Sequence, residues 1–155
     1  MGKKFRVLHI ALLIILAAMQ FYRPQRNDSR EREVTAFEKE TGVSGEVRTI
    51  LENKCYDCHS NRTVYPWYAN VSPVSIWIDG HIVEGREHFD ASGWVSYDAE
   101  KKDHKLEELV EEVEEGKMPL PSYTWTHGNI SREERDMLIR WARAARISLA
   151  PVATN

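Results

Sequence analysis

The chain has 155 residues, a formal net charge of −3, 42% hydrophobic residues and 29% charged residues. That fits one domain of ordinary globular composition and excludes both a chain disordered throughout and a multi-span membrane protein. The mildly acidic balance argues against a nucleic-acid partner, which requires a basic stripe, and two cysteines cannot staple a disulfide-rich scaffold.

The charge is unevenly placed. Residues 1–23 carry Lys3, Lys4, Arg6 and Arg23 and no acid, which leaves 17 basic and 24 acidic side chains in the rest, a net of −7. The basic start is followed by an apolar run from Val7 to Tyr22, broken only by His9 and Gln20. This is the pattern of a signal segment. As a helix the run spans roughly 24 Å against a hydrocarbon core of about 30 Å. Phe5 and a snorkelling Arg23 extend it to a marginal span. A cleavage site after Ala18 would place Leu16 where a small residue is needed, so residues 1–23 read as an uncleaved anchor rather than a removed signal peptide. Phe21 and Tyr22 suit an interfacial aromatic belt. A short basic N-terminal tail stays inside, so the body is expected to be exported.

Residues 24–43 are polar and read as a linker. The domain proper is expected over residues 44–150, with four helical patterns. The first starts at Ser44 as N-cap and spaces Val47, Ile50 and Leu51 before running into Cys55. The second opens on Ser72 as N-cap with Pro73 in its first turn. Its stripe is Val74, Trp77, Ile78, His81, Ile82 and Gly85. The third carries Leu106, Leu109, Val110 and Val113 and stops at Gly116, a C′ residue. The fourth opens with a Ser131/Glu134 capping box and buries Met137, Leu138, Trp141, Ala142 and Ala145. The expectation is a small all-α domain with long irregular connections at 60–71, 90–99 and 117–130. Such loops are usually functional or packed on something, and a large flat cofactor would supply that something.

Cys55-Tyr56-Asp57-Cys58-His59 is the most informative stretch. Cys-x-x-Cys-His is the attachment signature of c-type haem. Two cysteines three apart lie within one turn, so both can form thioethers to one porphyrin, and the adjacent histidine can ligate the iron. A thioredoxin-like dithiol would want a strand before the motif. Structural zinc would want a second ligand pair. A plain disulfide remains possible in an exported protein.

For the sixth position, Met118 in Lys117-Met118-Pro119 is preferred. It sits where no helical stripe explains it, and its thioether is a soft ligand. His81 and His127 are the rivals. Met137 reads as core, and His88 and His104 as surface.

The chain resembles a bacterial haem-binding domain family typified by a membrane-anchored monohaem c-type cytochrome. The resemblance is carried by Gln20-Phe21-Tyr22-Arg23-Pro24, by Cys55 to Asn61, by Pro66-Trp67-Tyr68, by Glu84-Gly85-Arg86, by Trp94, and by Met118-Pro119 with Tyr123 and His127. It implies covalent haem at Cys55 and Cys58, axial His59 and a sulfur ligand from Met118. The family usually has proline after the histidine at the His127 position, and here Gly128 follows.

Two further residues join the candidate cofactor site. Arg86 would pair with a haem propionate, the alternative being a solvated surface arginine. Trp67, with Tyr68, Trp77, Trp94 and Trp125, would line the haem or else pack as core. The acids Glu107, Glu108, Glu111, Glu112, Glu114 and Glu115 offer either a docking face for a cationic redox partner or a solvated helix face. The expected function is one-electron transfer by a membrane-tethered monohaem cytochrome with His59/Met118 ligation, held in the bacterial inner membrane with its haem domain in the periplasm. Iron with both axial positions filled implies no substrate turnover. The alternatives are a haem enzyme or gas or redox sensor with an open sixth position, and a haem-free dithiol redox protein.

Overall fold

The structure is a computed structural model that describes residues 2–150. Among these residues every regular element is helical, and the one β-bridge joins Asp28 to Arg62. The helices are α1 (Lys3–Met19), α2 (Thr35–Glu40), α3 (Gly45–Lys54), α4 (Tyr56–His59), α5 (Val74–His88), α6 (Ala99–Glu114), α7 (Pro121–His127) and α8 (Arg132–Leu149).

α1 forms from the unbroken run of strong helix formers and buries none of its residues. It has 17 residues, about 25 Å at ~1.5 Å per residue. No described helix is long and apolar enough to cross a membrane. Its foot is tied to the body: the Gln20 amide donates to the Ser72 carbonyl at 2.9 Å and accepts from the Ser72 N–H at 3.1 Å.

Residues 24–43 differ from the expected linker. Their last third enters the domain, because α2 carries Phe37 into the centre of the core with no exposed surface. Phe37 meets Phe89, Trp94 and Trp141 edge-on, with ring centroids 5.4, 5.0 and 5.9 Å away. Edge-to-face pairs of this kind add to simple burial. The two indole N–H groups are satisfied by α2 and its end, Trp94 donating to Glu40 and Trp141 to the Thr41 carbonyl, both at 2.9 Å. One apolar side chain per turn in a charged hexamer leaves no amphipathic stripe, so the element is not legible as core from its pattern.

The expected helices form, with one shifted boundary. Ser44 accepts from Val47 N–H at 3.2 Å, and both arms of the Ser131/Glu134 capping box are made, at 3.1 and 2.7 Å. Gly116 closes α6 at φ +71°, a conformation that favours glycine. α5 starts one residue late: Pro73 is its N-cap, and the Ser72 hydroxyl lies 2.9 Å from that of Ser75 instead of capping. α7 falls inside the expected 117–130 loop; proline stands in its first turn and no residue of it is buried, so no apolar stripe announces it.

α6 and α8 pack along their length. Arg146 bridges Asp103 and Glu107, and Arg143 pairs with Glu114. Glu108 pairs with Lys105, and Glu112 and Glu115 with Lys117. Most acids of the supposed docking face are therefore engaged within the domain.

Replacing Phe37 with Ala should lower stability by about 3–5 kcal/mol, the range for truncating a buried aromatic. Guanidinium unfolding of the full chain reads this as a shifted midpoint at unchanged slope.

Candidate functional site

The site is built where α3 ends. Cys55 is the last capped residue of α3, its N–H bonded to the Leu51 carbonyl at 2.9 Å, and it is also the N-cap of α4. Its carbonyl accepts from Cys58 N–H at 3.1 Å and His59 N–H at 3.0 Å. That single turn brings Cys55, Cys58 and His59 onto one cavity of about 290 Å³.

The His59 ring is fixed from behind, with Nδ1 2.9 Å from the Phe89 carbonyl. As a donor to that carbonyl, Nδ1 carries the proton and Nε2 presents its lone pair. Burial pushes the His59 pKa down, against smaller raising effects from backbone hydrogen bonds. The lowering by burial wins and leaves the imidazole neutral, and the Phe89 bond orients it, the form that ligates a metal.

The two thiols are free and half-buried. Burial pushes Cys55 up to about 12 and Cys58 up to about 11. At neutral pH this favours the protonated thiols over the thiolates that dithiol exchange uses.

α5 closes one wall. A side chain at Gly85 would have its Cβ 3.3 Å from both Cys58 Cβ and the Cys58 carbonyl oxygen and 3.5 Å from His59 Cε1. Only the missing side chain lets the helix approach the motif this closely.

Asp57 holds the other side. Its buried carboxylate pairs with Arg32 at 3.0 Å, accepts from Val64 N–H at 3.1 Å and accepts from the Tyr123 hydroxyl at 3.2 Å. The same hydroxyl oxygen also lies 3.2 Å from the Asn53 carbonyl, so its one proton is shared between the two acceptors. Lys54 Nζ donates to the His127 and Gly128 carbonyls at 2.6 and 2.9 Å. α7 is thus pinned to the motif turn. Burial, then the neighbouring Asp57 carboxylate, raises the Tyr123 phenol well above its usual range, so it stays a donor.

The arm between α6 and α7 carries Met118 over the same cavity. Its start is fixed by Lys117 and Met118 N–H groups on the Glu112 carbonyl, at 2.9 and 3.1 Å. Met118, Pro119 and Leu120 line the cavity with Cys55, Cys58 and His59.

The other expected site residues divide. His81 lines this cavity too, and its Nε2 is buried with no hydrogen-bond partner among the described residues. His127 lines only the neighbouring cavity of about 210 Å³, which Trp77, Trp125 and Tyr68 make strongly apolar. Its ring stacks on Tyr123 at 3.9 Å, and its Nδ1 lies 2.8 Å from the Thr126 hydroxyl. It is not brought to the wall that holds His59. Arg86 does not reach the site: its Nε and Nη2 bond Asp90 at 3.0 and 2.7 Å and its Nη1 bonds Asn27 at 3.1 Å. Trp67 lines neither cavity and is 79% exposed. Trp94, by contrast, is core. His88, read as surface, borders the cavity. The Phe89 carbonyl escapes sequence reasoning altogether, since a backbone acceptor has no residue signature.

Two thiols, a neutral histidine with an unused Nε2, a thioether on the same cavity and an orphaned imidazole nitrogen are a donor set that fits haem. The model of a family described as Haem-binding domain matches residues 14–144 of the chain. The chain belongs to this haem-binding domain family. No curated protein and no solved structure matches it. Membership of the family gives the chain haem as its cofactor.

The close wall at Gly85 is testable. Gly85→Val should destabilise the domain by about 1–3 kcal/mol or more, the usual cost of overpacking, and reduce haem incorporation. Gly80→Ala, on the same helix with nothing within 4 Å of its Cβ, should instead stabilise by up to about 1 kcal/mol. Thermal unfolding and the haem-to-protein absorbance ratio read both variants.

Proposed function

We propose that the protein is a membrane-tethered monohaem c-type cytochrome that carries single electrons. The observation that supports this best is the convergence of Cys55, Cys58, His59 and Met118 on one cavity. In this reading Cys55 and Cys58 would hold the haem through thioethers, and His59 Nε2 and the Met118 sulfur would ligate its iron. Bound haem supplies a one-electron ferric/ferrous couple. The chain supplies the rest. The Phe89 carbonyl orients His59 and strengthens it as a ligand. Asp57, Tyr123 and Lys54 hold α7 against the motif, and so fix the far end of the arm that carries Met118. With His59 and Met118 both on the iron, the chain would leave no ligand position for a substrate.

The apolar exposed α1 serves as the tether, with its basic end inside and the haem domain in the periplasm of a bacterial inner membrane. Its length is short of a full hydrocarbon core, and Phe21, Tyr22 and Arg23 complete the crossing at the interface.

A second reading has one specific observation behind it. His81 shares the cavity with Met118 and its Nε2 has no partner. An imidazole N–H there would stabilise a diatomic molecule on an open sixth position, as a sensor requires.

Expression with c-haem maturation and Met118→Ala separate the two. The carrier reading expects a low-spin wild type with the weak far-red band of a ferric iron–methionine bond. The variant should lose that band entirely, bind carbon monoxide in the ferrous state and have a lower reduction potential. A wild type that is already high-spin and binds carbon monoxide would overturn the carrier reading in favour of the sensor. Haem that extracts into acidified organic solvent would overturn the covalent attachment.

A further inference from the structure

Of the large aromatics expected at the haem, Trp67 is placed in neither a cavity nor the core. It stands 79% exposed on the turn Trp67–Asn70. That turn is bonded to the foot of α1: Arg23 Nη1 donates to the Asn70 carbonyl at 2.6 Å, and the Asn70 amide donates to the Trp67 carbonyl at 3.1 Å. Two further bonds join Gln20 to Ser72. Asn70 and Ser72 thus tie the end of this turn to the foot of α1.

The same junction exposes Phe21 at 90%, Tyr22 at 58% and Val71 at 45%. Exposed apolar surface gathered at one place marks a contact. Tryptophan and tyrosine, with an apolar body and a polar edge, are favoured where water meets the acyl region. Arg23 adds a cation at the level of lipid phosphates. Phe21 and Tyr22 continue directly from the apolar, exposed α1, and hydrogen bonds tie the Trp67 turn to the same foot, which names the occupant.

We propose that Trp67, with Phe21, Tyr22 and Val71, forms an interfacial footing that seats the domain on the phospholipid surface. This rests on α1 being the membrane tether. Trp67 provides a second point of attachment, and two points restrict the tilt of the domain. Pro66 and Tyr68, its chain neighbours, line the apolar cavity beside Cys58, so the footing holds the mouth of that cavity near the bilayer.

The test uses the full-length holoprotein in phospholipid nanodiscs that contain a photoactivatable phospholipid, with crosslinks mapped by mass spectrometry. Crosslinks are expected on α1 and on the peptide carrying Trp67 and Val71. Val95, 74% exposed but on the turn that packs against α2, should have none. Trp67→Ser should cut crosslinking of its own peptide several-fold and leave that of α1 and the haem spectrum unchanged. Absence of crosslinks on α1 overturns the tether reading and the footing with it. Crosslinks on α1 with none on the Trp67 peptide, or none lost in Trp67→Ser, or equal labelling at Val95, overturn the footing alone.

Discussion

The hydrogen bond between His59 Nδ1 and the Phe89 carbonyl is the constraint on which the rest of the site depends. It is a bond between the end of the motif turn and the residue that caps α5. The same Phe89 packs its ring on Phe37 and Trp94. The imidazole is therefore oriented by the most buried part of the core, and a shift of α2 or α5 would be felt at it. The close approach at Gly85 completes this arrangement, since a longer side chain there would separate α5 from the motif and lengthen the bond.

The opposite side is held by charge rather than by apolar packing. Asp57 is one of the two variable residues of the Cys-x-x-Cys-His motif, and it faces away from the thiols to gather Arg32, Val64 N–H and Tyr123. A buried carboxylate is costly unless its oxygens are satisfied, and here both are. One carboxylate thus joins the chain before α2, the strand-like passage after the motif and α7. The aromatic residues sort along the same division. Trp94 and Trp141 serve the core on the Phe89 side. Trp77 and Trp125 rim the apolar cavity on the Tyr123 side. Trp67 serves neither.

Several readings of the sequence survive because they rest on local rules. The capping residues Ser44 and Ser131, the stop at Gly116 and the stripes of α3, α6 and α8 depend on neighbours within one or two turns. The chemistry of the motif also depends only on residues three apart. A propionate partner and a partner just past the helix end look alike in sequence, so Asp90, four residues on from Arg86, shows only in the structure. The single core residue of α2 makes no pattern, and α7 buries nothing, so neither is legible as an element of the domain.

Two thiols and a histidine at a spacing that one helical turn converts into a common face are legible without any tertiary contact. So is the all-helical class, through a 3.6-residue apolar period and explicit caps. Only the tertiary structure decided which distant residues meet that face. Met118 and His81 come to it and His127 does not, Phe89 offers its carbonyl, and Tyr123 reaches Asp57 across 66 positions. Those meetings follow from how α5, α7 and the arm before α7 pack on the motif. Packing is set by the summed shape of many side chains, of which no short motif keeps a record.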